Sequence, residues 1–181
     1  MEVLQDTYKD TKIGRIPKNW EVLKLGDIFT FKNGLNKAKE FFGYGIPIVN
    51  YMDVYSNEGV YLKDLKGRVH LTSNEIDRFN IKKGDVFFTR TSETKEEIGY
   101  ATVLLEDIKD GVFSGFVLRA RSESNKLNLL FKKYCFSSNI ARKQIYATST
   151  ISTRALTNGG SLSLVTIPLP PLPEQQKIAA I

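Results

Sequence analysis

Four prolines crowd one short stretch, Ile167-Pro-Leu-Pro-Pro-Leu-Pro-Glu174, and they restrict the chain more than any other feature. Each proline fixes φ at about −65° and removes a backbone donor, so residues 167–172 must be extended or polyproline-like. Pro173 suits the first helical position, where an N–H would be unpaired anyway, and Glu174 then lies where the helix dipole favours an anion. The helix that starts there is cut off at Ile181. So few residues are not stable as an isolated helix, so this one must pack on a partner or on the rest of its own chain.

Upstream, the pattern is that of a mixed fold. Val86-Phe-Phe-Thr, Tyr100 to Leu105 and Val112 to Leu118 are rich in β-branched and aromatic residues and predict the core strands. Leu25 to Phe31 predicts a turn and strand closed by Asn33-Gly34, and Ile46-Pro-Ile-Val-Asn50 a strand that proline confines to an edge or a strand start. Val60 to Leu62, Arg68 to Leu71 and the alternating Ser161 to Ile167 are further strand candidates. Thr72-Ser-Asn-Glu75 has capping-box spacing and predicts a helix over 75–79. Leu127, Leu130, Phe131 and Tyr134 fall at helical spacing, which turns Lys126, Lys132 and Lys133 away from the buried face. Ser137-Ser-Asn139 offers a cap for a second helix over 140–146. The expected fold is a single α+β, β-rich domain over residues 1–172 with short helices, followed by the start of a helix over 173–181.

The excess positive charge sits in one segment. The net charge is +6, and residues 124–173 contain Lys126, Lys132, Lys133, Arg142, Lys143 and Arg154 with no acid, which leaves the remainder balanced. Such a local field favours polyanions, or else only solubility. Other chemistries have little to use. One cysteine, Cys135, and one histidine, His70, exclude the usual zinc clusters and any internal disulfide. Cys135 lies in an apolar pattern and reads as a packing residue. No Gly-Lys-Ser/Thr phosphate loop occurs, Gly43-Tyr-Gly45 is the only Gly-x-Gly, and no Asn/Asp-Pro-Pro-aromatic string is present. No cofactor is expected. No apolar run approaches membrane-spanning length and the N-terminus lacks a secretory pattern, so a cytoplasmic chain is expected.

Three strings, in order, resemble one family. Pro168-Leu-Pro-Pro-Leu-Pro-Glu-Gln-Gln-Lys-Ile-Ala179 is similar to the junction between a target recognition domain and the conserved helical spacer in specificity subunits of Type I restriction-modification systems. Gly84 to Thr94, with Glu97-Ile-Gly-Tyr100 and Gly111 to Arg119, resembles the core of that domain, and Ile16 to Asp27 its usual beginning. The resemblance implies a non-catalytic chain that binds one half of a split double-stranded DNA site and directs methyltransferase and restriction subunits to it. Such subunits usually carry two recognition domains, so it also implies either a longer parent or self-association in a half-length form.

A DNA reader needs hydrogen-bonding side chains on loops held by the sheet, with Lys and Arg for phosphate. The first candidate loop follows the strand at Phe88: Arg90, Thr91, Ser92, Thr94 and Lys95, with Glu93 as an acceptor for a cytosine amino group. The second is 149–160, with Arg154 suited to guanine and Asn158 to adenine. The third is Lys32, Lys37 and Tyr44 before the Ile46 strand, with Asn50 after it. Lys132, Lys133, Arg142 and Lys143 supply phosphate contacts. From a different class, a protein-interaction module would dock a partner through the basic helices and the proline strap without binding DNA.

Overall fold

Residues 7–94, 96–151 and 155–181 are described in the computed structural model, without the side chain of Ile151. An exposed hairpin, β1 (Tyr8–Thr11) and β2 (Gly14–Pro17), precedes β3 (Glu21–Lys24) and β4 (Thr30–Asn33). β5 (Phe42–Val49) runs into α1 (Tyr51–Tyr55), and two short strands follow, β6 (Gly59–Val60) and β7 (Arg68–Val69).

Helix α2 (Ser73–Phe79) starts where the capping box requires. The Thr72 N–H donates to the Glu75 carboxylate at 2.9 Å and the Glu75 N–H returns a bond to Thr72 Oγ1 at 3.4 Å. Lys37 pairs with the same carboxylate. The Lys37 bond and then the Thr72 N–H lower the Glu75 pKa from 4.5 to about 2. A depressed carboxyl pKa stabilises the fold above its unfolded value, and that contribution is lost as pH falls towards 2. An NMR titration is expected to find Glu75 charged well below pH 4.5, with Lys37→Met moving the midpoint upward.

The middle of the chain supplies β8 (Val86–Thr89), β9 (Thr91–Ser92), β10 (Ala101–Leu104), β11 (Val112–Phe113) and β12 (Val117–Arg121). The last third supplies α3 (Lys132–Cys135), α4 (Asn139–Thr148), β13 (Thr150–Ile151), β14 (Ala155–Leu156), α5 (Gly159–Ser163), β15 (Thr166–Leu169) and α6 (Leu172–Ile178).

The central sheet has the order β4, β12, β8, β10, β6, antiparallel except for the β10–β6 pair. Strand β8 is buried along its whole length, and its side chains alternate between two cores. Val86 and Phe88 pack with Leu23, Phe29, Leu118, Phe136 and Ile145. Phe87 faces the other way, towards Val49, Leu104, Phe113 and Val117. Edge-on ring contacts lock the first side, with Phe88 and Phe136 centroids 5.2 Å apart. The observed α+β architecture is therefore the expected one, and the Phe88 and Tyr100 strands are its centre.

Four local expectations are corrected. Val112 to Leu118 is not one strand: the chain breaks at Ser114–Phe116, and its halves join different sheets. There the Leu35 N–H donates to the Phe113 carbonyl and the Gly115 N–H to the Leu35 carbonyl, so a neighbouring loop replaces the ladder. Pro47 sits in the middle strand of the sheet β11, β5, β7 rather than at an edge. The parallel partner β11 pairs only from Ile48 onward, so Pro47 is opposed by Arg68 on one side alone, and its missing N–H leaves no gap in the β11 ladder. Helix α3 is a single turn, because Asn128 Oδ1 accepts the N–H groups of Leu130 and Phe131 and holds 128–131 as a turn. Leu127 and Phe131 are buried as expected, but Leu130 and Tyr134 are exposed. Residues 161–163 are helical rather than extended, since Asn158 caps α5 by accepting the Ser161 N–H at 2.9 Å, and β15 begins only at Thr166.

The proline strap is extended as required. β15 pairs antiparallel with β3, placing Pro168 opposite Val22 in a two-stranded sheet. α6 then starts after Pro171 and packs on its own chain. Glu174 accepts from Asn19 Nδ2 at 2.6 Å and Trp20 Nε1 at 2.7 Å. Gln175, 1% exposed, accepts the Asn128 N–H and donates to the carbonyls of Lys126 and Pro170. Two adjacent polar side chains thus fix the helix start against segments about 50 and 150 residues away.

Candidate nucleic-acid interface

Sheet register gathers the loops. Thr89 opposes Val117, Asn33 opposes Leu118, and Ala101 opposes Phe88, so β4 and β8 end where β12 and β10 begin. The segments 34–41, 90–94, 96–100 and 114–116 therefore share one end of the sheet. A small three-stranded sheet adds residues 150–151 and 155–156: Ser92 pairs with Ala155 and Thr91 with Leu156. The Thr157 N–H also donates to the Arg90 carbonyl at 3.0 Å. Two loops singled out separately in the sequence are thus joined by backbone hydrogen bonds.

Within the first loop, the Arg90 N–H donates to the Phe116 carbonyl, and its half-buried guanidinium reaches the Gly115 carbonyl at 3.4 Å. Thr91 is half-buried and Thr94 exposed. Ser92 is buried, and its hydroxyl donates to Glu97 Oε2 at 3.1 Å. Lys95 and Arg154 lie outside the described residues. Asn158 is exposed, with its Oδ1 engaged in the α5 cap.

Several predicted cations are engaged in structure. The Lys32 ammonium donates to the Arg78 carbonyl, and Arg119 and Arg121 donate to the Asn80 carbonyl, so all three serve the carboxyl end of α2. Burial, then the charges of Arg119, Arg78 and Arg121, lowers the Lys32 pKa. Lys37 is paired with Glu75, and Tyr44 stacks on His70 with ring centroids 5.4 Å apart. Asn50 is half-buried ahead of α1, where its N–H donates to Asp53 Oδ2 at 2.8 Å.

Lys132 is the clearest departure. It was expected to point away from the buried face, but it is 7% exposed and donates to the Gly84 carbonyl at 2.9 Å. The single-turn α3 aims it inward over the Phe29 ring. Its ammonium pKa is lowered by burial. Lys133 lies half-buried against the Tyr134 ring, and Lys143 is exposed. Arg142 spans from α4 to the first loop, donating to the carbonyls of Gly99 and Glu96, each at 2.8 Å, over the Tyr100 ring. Burial lowers its pKa as well. The basic segment is therefore not one continuous stripe.

The structure adds Tyr55, Glu97 and Tyr100, which sequence reasoning did not place at a site. Tyr51 and Tyr55 stack at 5.9 Å, Tyr100 meets Tyr55 edge-on at 5.2 Å, and the Tyr55 hydroxyl donates to Glu97 Oε1 at 3.1 Å. That bond and the Glu97 charge raise the Tyr55 pKa. Tyr51, Met52, Tyr55, Thr91, Ser92, Glu93 and Glu97 enclose a cleft of about 330 Å³. The i, i+4 spacing of Tyr51 and Tyr55 was visible in the sequence, but Tyr100 comes to them only through β10.

Two curated relatives are specificity subunits from Methanocaldococcus jannaschii. The subunit of the Type I restriction enzyme MjaIX is 29% identical over 96% of this chain and 39% of its own length. That of the putative Type I restriction enzyme MjaX is 28% identical over 98% of this chain and 42% of its own length. The chain thus spans about two fifths of the relatives it matches. Among solved structures, a chain from work on complex assembly and conformational transition of the type I R-M system superposes with a TM-score of 0.65 at 17% identity, covering 98% of this chain and 40% of that one. The HsdS subunit from Thermoanaerobacter tengcongensis gives a TM-score of 0.62 at 16% identity, covering 98% and 39%. At those identities the likeness is one of fold. Residues 17–181 match the family described as the Type I restriction modification DNA specificity domain, and the chain belongs to that family.

Proposed function

We propose that this chain binds duplex DNA in a sequence-specific manner through the loop end of its central sheet. It reads one half of a bipartite site and, as a non-catalytic cytoplasmic element, directs the methyltransferase and restriction subunits of a Type I complex to that site. The observation that carries this reading is the β9–β14 pairing, which joins the Arg90 loop to residues 155–158 at the loop end of the five-stranded sheet. Base readout needs such preorganised loops. Arg90, Thr91, Thr94, Lys95, Arg154 and Asn158 are the proposed readout residues. Tyr44, Asn50, Lys133 and Lys143 are proposed as further DNA contacts, and Arg142 acts by holding the loop.

In this reading, residues 1–172 form the recognition domain and 173–181 begin the spacer. The clasp of Glu174 and Gln175 supports that division, because it sets the direction in which a longer helix leaves the domain. The second half-site is served by another domain of a longer parent or by self-association of a half-length form.

Titration with duplex DNA at rising salt tests the reading. About 4 phosphate contacts give a log–log slope of about −3.6. An affinity that does not change with salt would exclude DNA binding of this kind.

A further inference from the structure

We infer that the cleft between α1 and the β9 loop is a base-edge subsite whose Glu97 carboxylate accepts an exocyclic amino group, cytosine N4 or adenine N6, in the major groove. The inference rests on the DNA-reading function proposed above and deepens it.

The argument starts from how the carboxylate is held. Glu97 Oε1 accepts from the Tyr55 hydroxyl and Oε2 from Ser92 Oγ, each at 3.1 Å. Both donors are themselves fixed. Ser92 is 4% exposed in a strand paired to β14, and the Tyr55 ring is packed between those of Tyr51 and Tyr100. On the backbone side, the Glu97 carbonyl accepts from Thr89 Oγ1 at 3.2 Å, while Arg142 grips the carbonyls of Glu96 and Gly99 on either side. A carboxylate offers about four acceptor positions, and two hydroxyls leave capacity on both oxygens. Both of these bonds come from neutral groups, so the charge is oriented without being neutralised by them.

The sign of the charge then selects the ligand. A carboxylate in this position repels phosphate oxygens and accepts only from donors. In the major groove, the donors on base edges are the amino groups of cytosine and adenine, and Glu to cytosine N4 is an established pairing by geometry. The cleft suits a base edge in its other walls too. Met52 is 60% exposed, and the Tyr51 and Tyr55 rings give a flat apolar side to a space of about 330 Å³. Thr91 and Glu93 border it on the loop side.

Selection from a duplex library with randomised positions, using the 181-residue chain and its Glu97→Met variant, provides the test. The wild-type chain is expected to prefer C or A at one position, and the identity of that base tells cytosine from adenine. Glu97→Met keeps the length of the side chain but removes both carboxylate acceptors, so that preference should fall by about tenfold or more while other positions keep theirs. Tyr55→Phe keeps the ring but removes one hydroxyl, and should relax the same position to a smaller extent. Wild-type selection with unchanged preferences in Glu97→Met overturns the inference and leaves DNA reading intact. So does a uniform loss of affinity, which assigns Glu97 a purely structural role. Failure of the wild-type chain to select any sequence removes both.

Discussion

Replacing Asp85 with alanine should lower the free energy of unfolding by about 3–5 kcal/mol, the range for leaving a buried charge without its partner. Asp85 is 2% exposed and accepts Arg121 Nε at 2.7 Å and Nη2 at 2.6 Å, a bidentate pair. It also accepts the Lys82 N–H at 2.8 Å and so closes the turn before β8. With the carboxylate gone, the Arg121 guanidinium stays close to the charges of Arg119 and Lys32, where burial already penalises cations. The loss would take a large part of the roughly 5–15 kcal/mol typical of a domain. Urea unfolding followed by tryptophan fluorescence checks it. Asp85→Asn keeps the shape and one acceptor, so it should fall between wild type and alanine. Stability unchanged in Asp85→Ala would show that the basic trio is satisfied by the α2 carbonyls alone.

Gln175→Ala is expected to cost about 2–4 kcal/mol, because each buried backbone group left without its partner costs roughly 1–3 kcal/mol and some regain water. Three groups lose a partner: the Asn128 N–H at 2.8 Å, the Lys126 carbonyl at 2.9 Å and the Pro170 carbonyl at 2.8 Å. The side chain is 1% exposed, so water has little access while the fold stays closed. Thermal unfolding should show a lower midpoint with a single transition. Glu174→Ala should cost less, since its bond to Asn19 is exposed and that to Trp20 only partly buried. A wild-type midpoint for Gln175→Ala would mean that the junction between strap and helix melts apart from the domain core.

Much of the architecture was legible where one local rule decided the outcome. Thr72 and Glu75 cap α2 because the capping box needs only a spacing of three, and Ser138 caps α4 by the same local logic. Strand β8 was readable because an apolar run bounded by Gly84 and polar residues leaves few alternatives. Where long-range contacts compete with local pattern, the reading failed. Leu127, Leu130, Phe131 and Tyr134 have helical spacing, but Asn128 turns the chain and of these four only Leu127 and Phe131 are buried. Val112 to Leu118 looks like one strand, yet the loop at Leu35 intercepts its hydrogen bonds midway.

The candidate site divides in the same way. Residue type marked the loops of Arg90 and Asn158 as candidates, and their joining through β9 and β14 was not readable, since two-residue strands carry no pattern of their own. Charge counting placed six cations in one segment but could not tell that Lys132 faces Gly84 or that Arg142 crosses to Gly99.

The sequence by itself determined the extended strap, the helix start at its end and the buried central strand. Each of these follows from backbone sterics or short-range periodicity, which do not depend on what lies elsewhere in space. Only the tertiary structure decided which cations remain exposed, and that Tyr55, Ser92 and Glu97 meet at one cleft. Those outcomes depend on contacts between residues far apart in the chain, and a hydrogen bond across such a distance is set by strand register rather than by any local preference.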